Sequence, residues 1–216
     1  MIKVLTSFDP LVNGFKFINR FELPGLSNLA LPGLTSAPIS LGNIVYGLCG
    51  GMCYSALDYF HANLPVPGFA SVDEVSLHLY NYLLTRQLNS LAGGTLLKVI
   101  SWMAMDDADL DDKIIHSEVP SLTAALADGT PAALALIRVH GLTDPTHNHQ
   151  VTAVGYDFDM DTNIMTIHLY DPNHPGELPF LTMDLTNPAR GINLAQSTGE
   201  PLRGFFMTDY QPQVPS

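Results

Sequence analysis

At 216 residues, 46% of them hydrophobic and 14% charged, the chain is long enough to bury a substantial core as one domain. Its net charge of −12 argues against a nucleic-acid backbone or an anionic membrane surface as partner. Two cysteines cannot build a disulfide framework, no stretch approaches the ~18 apolar residues of a membrane span, and residues 1–10 lack the apolar run of a signal peptide. The expected location is cytoplasmic, or exported without a cleavable signal.

Residues 14–21 alternate well enough to predict a short strand. Residues 23–44, rich in Pro, Gly, Ser and Leu, read as an irregular arm over the core. A helix is predicted over 49–62, and Pro65, Pro67 and Gly68 break the chain after it. Ser71-Val72-Asp73-Glu74 matches a capping box in front of an amphipathic helix carrying Val75, Leu79, Leu83, Leu84, Leu88 and Leu91. Thr95 opens a third helix through Met103. The five aspartates between Asp106 and Asp112 lack the glycine and distant glutamate of a calcium loop and read as a solvated helix end. Residues 120–127 form a short helix closed by Gly129. From residue 131 the period changes, and strands are predicted over 132–139, 149–156, 164–171, 178–185 and 204–210. Helices first and strands second is the α+β pattern. The organisation is one domain over 1–216, with a strand and arm (1–44), a helical part (45–130) and an antiparallel sheet part (131–216).

Gly47-Leu48-Cys49-Gly50-Gly51-Met52-Cys53 holds both cysteines at the mouth of the first long helix. Adjacent glycines let another molecule approach the backbone there. A thiol beside free N–H groups and the positive end of the helix dipole favours its thiolate, the nucleophilic form. Of the two, Cys49 lies at the mouth, whereas Cys53 lies a full turn later, where the N–H groups begin to be satisfied within the helix. Asn43, six residues before Cys49, carries an amide that suits a developing oxyanion; an ordinary turn residue is the plainer reading.

Residues 157–163 form a turn between two strand-like runs. With Met160 as the centre, His149 lies opposite Asp171, and Val151, Ala153 and Gly155 meet Leu169, Ile167 and Met165. One apolar face then ends in a His–Asp pair. A carboxylate there fixes the imidazole tautomer and stabilises the imidazolium. A slip of one residue would break the pairing, and Asn173 is the alternative orienting residue.

An amide, five residues, Cys-Gly opening a helix, then His-x-Val and a strand ending in Asp-Pro resemble the papain-like cysteine peptidases. The nearest branch is the double-glycine leader peptidases of bacteriocin exporters, which share the Cys-Gly-x-x-Cys order. Asn43, Cys49, His149 and Asp171 occupy the positions of that family's catalytic residues. The resemblance implies a papain-like α+β fold, cleavage of a peptide or isopeptide bond in a peptide or protein substrate, and no cofactor. Asparagine stands where glutamine is commoner, and the transporter domains of leader peptidases have no counterpart. Residues 13–17, 47–52, 147–151, 170–173 and 203–206 also resemble a wider group of bacterial papain-like proteins, a likeness that implies no substrate; an interbacterial or secreted effector is a speculative context. The same thioester chemistry serves an acyltransferase or transglutaminase, and a silent papain-like scaffold for binding is the non-enzymatic alternative. A metal site built from His140, Asp144, His147, His149, His168, His174 and Asp171 is the chemical rival. It leaves the Cys-Gly-Gly stretch without a role.

Overall fold

A computed structural model describes residues 1–21, 47–141 and 145–215. The chain is a mixed α+β structure built on a curled antiparallel sheet. Strand β1 (Ile2–Leu5) and the one-turn helix α1 (Pro10–Asn13) precede helices α2 (Cys49–His61), α3 (Leu77–Leu91), α4 (Thr95–Ala104), α5 (Asp107–Lys113) and α6 (Val119–Ala127). Strands β2 (Ala132–Ile137), β3 (His149–Asp159), β4 (Ile164–Tyr170), β5 (Phe180–Asp184), β6 (Ala195–Gln196) and β7 (Gly204–Met207) follow. The sheet order is β6-β5-β4-β3-β2-β7, every pairing antiparallel. Along one edge of β3, residues 149–153 pair with β2, and β1 takes over at residues 155–158. Among the described residues no helix is long and apolar enough to cross a membrane.

Two apolar clusters occupy the two faces of the sheet. Leu134, Leu136, Val151, Ala153, Ile167 and Leu169 join Trp102, Ile114, Leu122 and Leu126 of the later helical segments. Ala133, Val154 and Tyr170 join Met52, Tyr54 and Leu57 of α2, Leu83 of α3, and Phe8, Phe15 and Phe17. Strand β2 is buried along its whole length because both faces are covered.

Three sequence expectations change. The segment 14–21 forms no strand. Its alternation is real, since Phe15, Phe17 and Phe21 are buried, but the backbone is tied irregularly, with the Phe15 N–H donating to the Tyr170 hydroxyl and the Asn19 N–H to the Pro172 carbonyl. The capping box is displaced. Residues Val72–Glu74 make a 3₁₀ turn with Glu74 accepting from the Ala70 N–H, and Ser76 caps α3 through the Leu79 N–H. The buried stripe of α3 is Leu79, Tyr82, Leu83, Arg86, Gln87 and Ser90, while Leu88 is exposed. Polar side chains face inward there because partners await them. A π-helical segment (Ile114–Glu118), β1 and β6 were not anticipated, and the strand expected over 178–185 is Phe180–Asp184.

The hairpin register also differs. Near the tip, closed by Asn163 in the left-handed region (φ 55°), Phe158 pairs with Met165 and Gly155 with His168. This lies three positions further along β4 than the symmetric hairpin predicts. An odd offset would turn the apolar set to the wrong face. A bulge between Ala153 and Gly155 removes one position, so that Ala153 pairs with Leu169 and Thr152 with Tyr170. The remaining offset of two preserves the faces.

Arg86 and Asp58 form a buried ion pair between α3 and α2, with Nε 2.7 Å from Oδ2 and Nη2 donating to Oδ1 at 3.1 Å. The Tyr82 and Tyr210 hydroxyls and the Gln213 N–H also donate to this carboxylate, and Arg86 donates to the Gln211 carbonyl. Burial first, and Asp58 second, push both phenols above their ordinary range. Asp58→Ala leaves the Arg86 charge buried without a counterion, and chemical denaturation should show a loss of about 3–5 kcal/mol. The double variant Asp58→Leu, Arg86→Met, which removes both charges, should recover most of it.

Candidate active site

The site is assembled where α2 begins at the sheet rim. Gly47 adopts φ 95°, and a Cβ there would meet Asn19 Nδ2 at 2.9 Å, so glycine serves both the turn and the close approach. Leu48 is the N-cap and offers no side-chain cap. At Gly50 a Cβ would collide with Ser90 Oγ, and at Gly51 with the Leu83 carbonyl. The two glycines therefore let α2 lie directly on α3, and Gln87 Oε1 accepts the Gly51 N–H at 2.8 Å. This contact, rather than room for a visiting molecule, is the visible reason for the pair.

Cys49 is half-buried and Cys53 fully buried, both as free thiols. Burial alone would push the Cys49 thiol up, but the His149 imidazolium, its hydrogen bond, and the Gln150 and Gly50 N–H groups together bring it below the ordinary value. Cys53 differs. Burial, with the neighbouring Cys49 charge, pushes it well up, and its Sγ lies 3.5 Å from the Gln150 carbonyl as a donor. The sequence-based preference for Cys49 over Cys53 is consistent with this contrast.

His149 and Asp171 come together, both buried, with Nε2 2.7 Å from Oδ1. Asp171, just beyond β4, is diagonal to His149 when the rim register is extended. Burial pulls the His149 pKa down, but the Asp171 carboxylate and Cys49 thiolate outweigh it and raise it to about 10. Burial raises Asp171, and His149, the Asn173 N–H and His174 outweigh that, so its carboxyl lies below the usual range. The Asn173 N–H donates to the same Oδ1 at 2.8 Å, and Gln196 Nε2 to Oδ2 at 3.4 Å. Asp171, not Asn173, is thus the side chain bonded to His149. With Nε2 engaged, Nδ1 remains for Cys49.

Asn43 lies outside the described residues, as does Asp144 of the rival metal set. Asn19 is an amide that the sequence reading missed. Its Oδ1 accepts the Leu48 N–H at 2.6 Å and its Nδ2 donates to Asn173 Oδ1 at 3.1 Å. It ties the residue before the thiol to the loop carrying the carboxylate. No local signal marks it, because 29 residues separate it from Leu48. The rival set is scattered: His168 pairs with Asp157, His174 lies near Glu177 and Glu200, and His149 is held by Asp171. Among the described residues, no three His, Cys, Asp or Glu side chains are placed to hold a metal ion.

Two openings meet at Cys49. A narrow slot of about 50 Å³ runs between Leu91, Leu96, Val99 and Ala135. A wider groove of about 460 Å³ is bordered by Asn19, Arg20, Arg138, His147 and Asn173. Cys49 and His149 line both openings, with the Asp171 carboxylate buried behind the imidazole. No protein-family model, curated protein or solved structure matches the chain.

With the Cys49 thiol lowered and the Cys53 thiol raised, the thiolate fraction at Cys49 exceeds that at Cys53 at any given pH. Iodoacetamide at pH 6 should therefore modify Cys49 selectively, read by peptide mass spectrometry. In Asp171→Asn the imidazolium loses its carboxylate, so the onset of Cys49 alkylation should move to higher pH.

Proposed function

We propose that the protein is a thiol-dependent hydrolase of papain-like type, cleaving a peptide or isopeptide bond through Cys49, His149 and Asp171. The observation that carries this reading is the buried His149, bonded to Asp171 at 2.7 Å and lining the same groove as Cys49, which sits at a helix mouth.

The thiolate of Cys49 attacks the carbonyl carbon, and the C=O pair moves onto oxygen. The N–H groups of the α2 mouth, with Asn43 as the sequence-based side-chain candidate, offset that charge. The His149 imidazolium gives its proton to the departing nitrogen as the C–N bond breaks, leaving a thioester and an amine. Neutral His149 then takes a proton from water, whose oxygen attacks the thioester. Collapse expels the thiolate, and the imidazolium is restored. Asp171 holds the ring orientation throughout and remains ionised. An amine entering in place of water would give transfer through the same groups.

The test compares cell extracts treated with the protein and with Cys49→Ala. New peptide N-termini should appear only with the unaltered chain; identical terminomes would overturn hydrolysis, and incorporation of a fluorescent primary amine would identify transfer instead. On a peptide so identified, His149→Gln should lower kcat by about 10²–10⁴. Asn43→Ala should lower it by about 10²–10³; a change of less than about twofold would remove Asn43 from the site.

A further inference from the structure

We infer that the wider groove beside Cys49 receives an anionic group of the substrate, a carboxylate lying close to the bond under attack. The inference rests on reading Cys49 as the nucleophile.

Acidic residues outnumber Lys and Arg 21 to 9 in this chain. The described lining of the groove reverses that balance: it contains Arg20 and Arg138 and no carboxylate. Arg20 is exposed and has no ion-pair partner among the described residues. Its backbone is held by the Ile18 carbonyl, so its stem starts from a fixed place. Arg138 is mostly buried and is engaged from behind, Nη2 lying 3.0 Å from Gln196 Oε1 and 3.3 Å from Glu200 Oε2. Its Nε is buried without a hydrogen-bond partner.

The carboxylates behind the groove are already occupied. Asp171 is bound to His149, and Glu200 is shared between Arg138 and His174. Among the described residues, Arg20 therefore supplies the charge at the wall that no carboxylate pairs with, and Asn173 lines the same groove. A substrate carboxylate placed there gains attraction from Arg20 without displacing a protein anion. The slot on the other side is only about 50 Å³, suits a small side chain, and has no Lys, Arg, Asp or Glu in its described lining.

Two alkylating reagents of similar size read this directly. Iodoacetate is an anion and iodoacetamide is neutral, and both react at the Cys49 sulfur with loss of iodide. The ratio of their second-order rate constants at Cys49 is measured at pH 6, at about 10 mM and 0.5 M salt, in the full chain, in Arg20→Gln and in Arg20→Lys. A unit charge about 6 Å from the approaching anion in water changes its local concentration about threefold. The ratio should fall by about that factor in Arg20→Gln, be kept in Arg20→Lys, and fall with salt in the unaltered chain. A ratio that Arg20→Gln leaves within about 1.3-fold overturns the anionic subsite while leaving the nucleophile intact. Failure of both reagents to modify Cys49 faster than an ordinary thiol overturns the nucleophile, and this inference with it.

Discussion

The ion pair between Asp58 and Arg86 is the constraint on which the rest of the helical layer depends. A buried carboxylate and guanidinium bind little net energy when paired, yet each is costly alone. Here the carboxylate also collects Tyr82, Tyr210 and the Gln213 N–H, and the guanidinium stacks near Tyr54 and Tyr210. One cluster thus fixes the angle between α2 and α3 and pins the chain after β7. Because α2 carries Cys49 at its other end, the placement of the thiol follows from a charge pair more than two turns away.

The second half of the site depends on the sheet. His149 starts β3 and Asp171 follows β4, so antiparallel pairing alone brings them to one rim. Gln150 connects the two halves. It is the residue after His149, its N–H supports the Cys49 sulfur, its carbonyl lies against Cys53, and its Nε2 reaches Ser90 on α3. The strand and the two helices therefore meet at one residue, beside the two side chains proposed to react.

What could be read from the sequence follows the range of each interaction. The α2 helix, strands β2, β3, β4, β5 and β7, and the approach of His149 to Asp171 rest on local periodicity and one hairpin, and they were legible. The α3 face was misread because leucines were counted and Arg86 and Gln87 were not; their inward orientation depends on Asp58 and Gly51, residues of another helix. Residues 14–21 alternated like a strand, but alternation records burial, and among the described residues no strand pairs with them. Asn19, Asn173 and Gln196 have short polar side chains whose roles exist only after distant loops have met. Hairpin symmetry brought His149 to Asp171 but paired Val151, Ala153 and Gly155 with the wrong residues of β4, because a bulge is silent in a sequence without an alignment.

That bulge changes how lengths in this hairpin translate into position. The tip beyond Asp159 and Ile164 can grow or shrink without moving His149 against Asp171, since the count of residues at the tip does not enter the pairing at the rim. The count between Gly155 and His149 does enter. Losing the unpaired Val154 would straighten β3 and leave His149 in place, whereas losing a paired residue such as Thr152 would rotate His149 to the other side of the sheet while leaving its sequence neighbours intact. Two chains aligned residue for residue around His149 could then differ in whether the imidazole meets its carboxylate at all. Parity within β3, rather than identity at the histidine, is the feature by which a functional copy of this rim would be recognised.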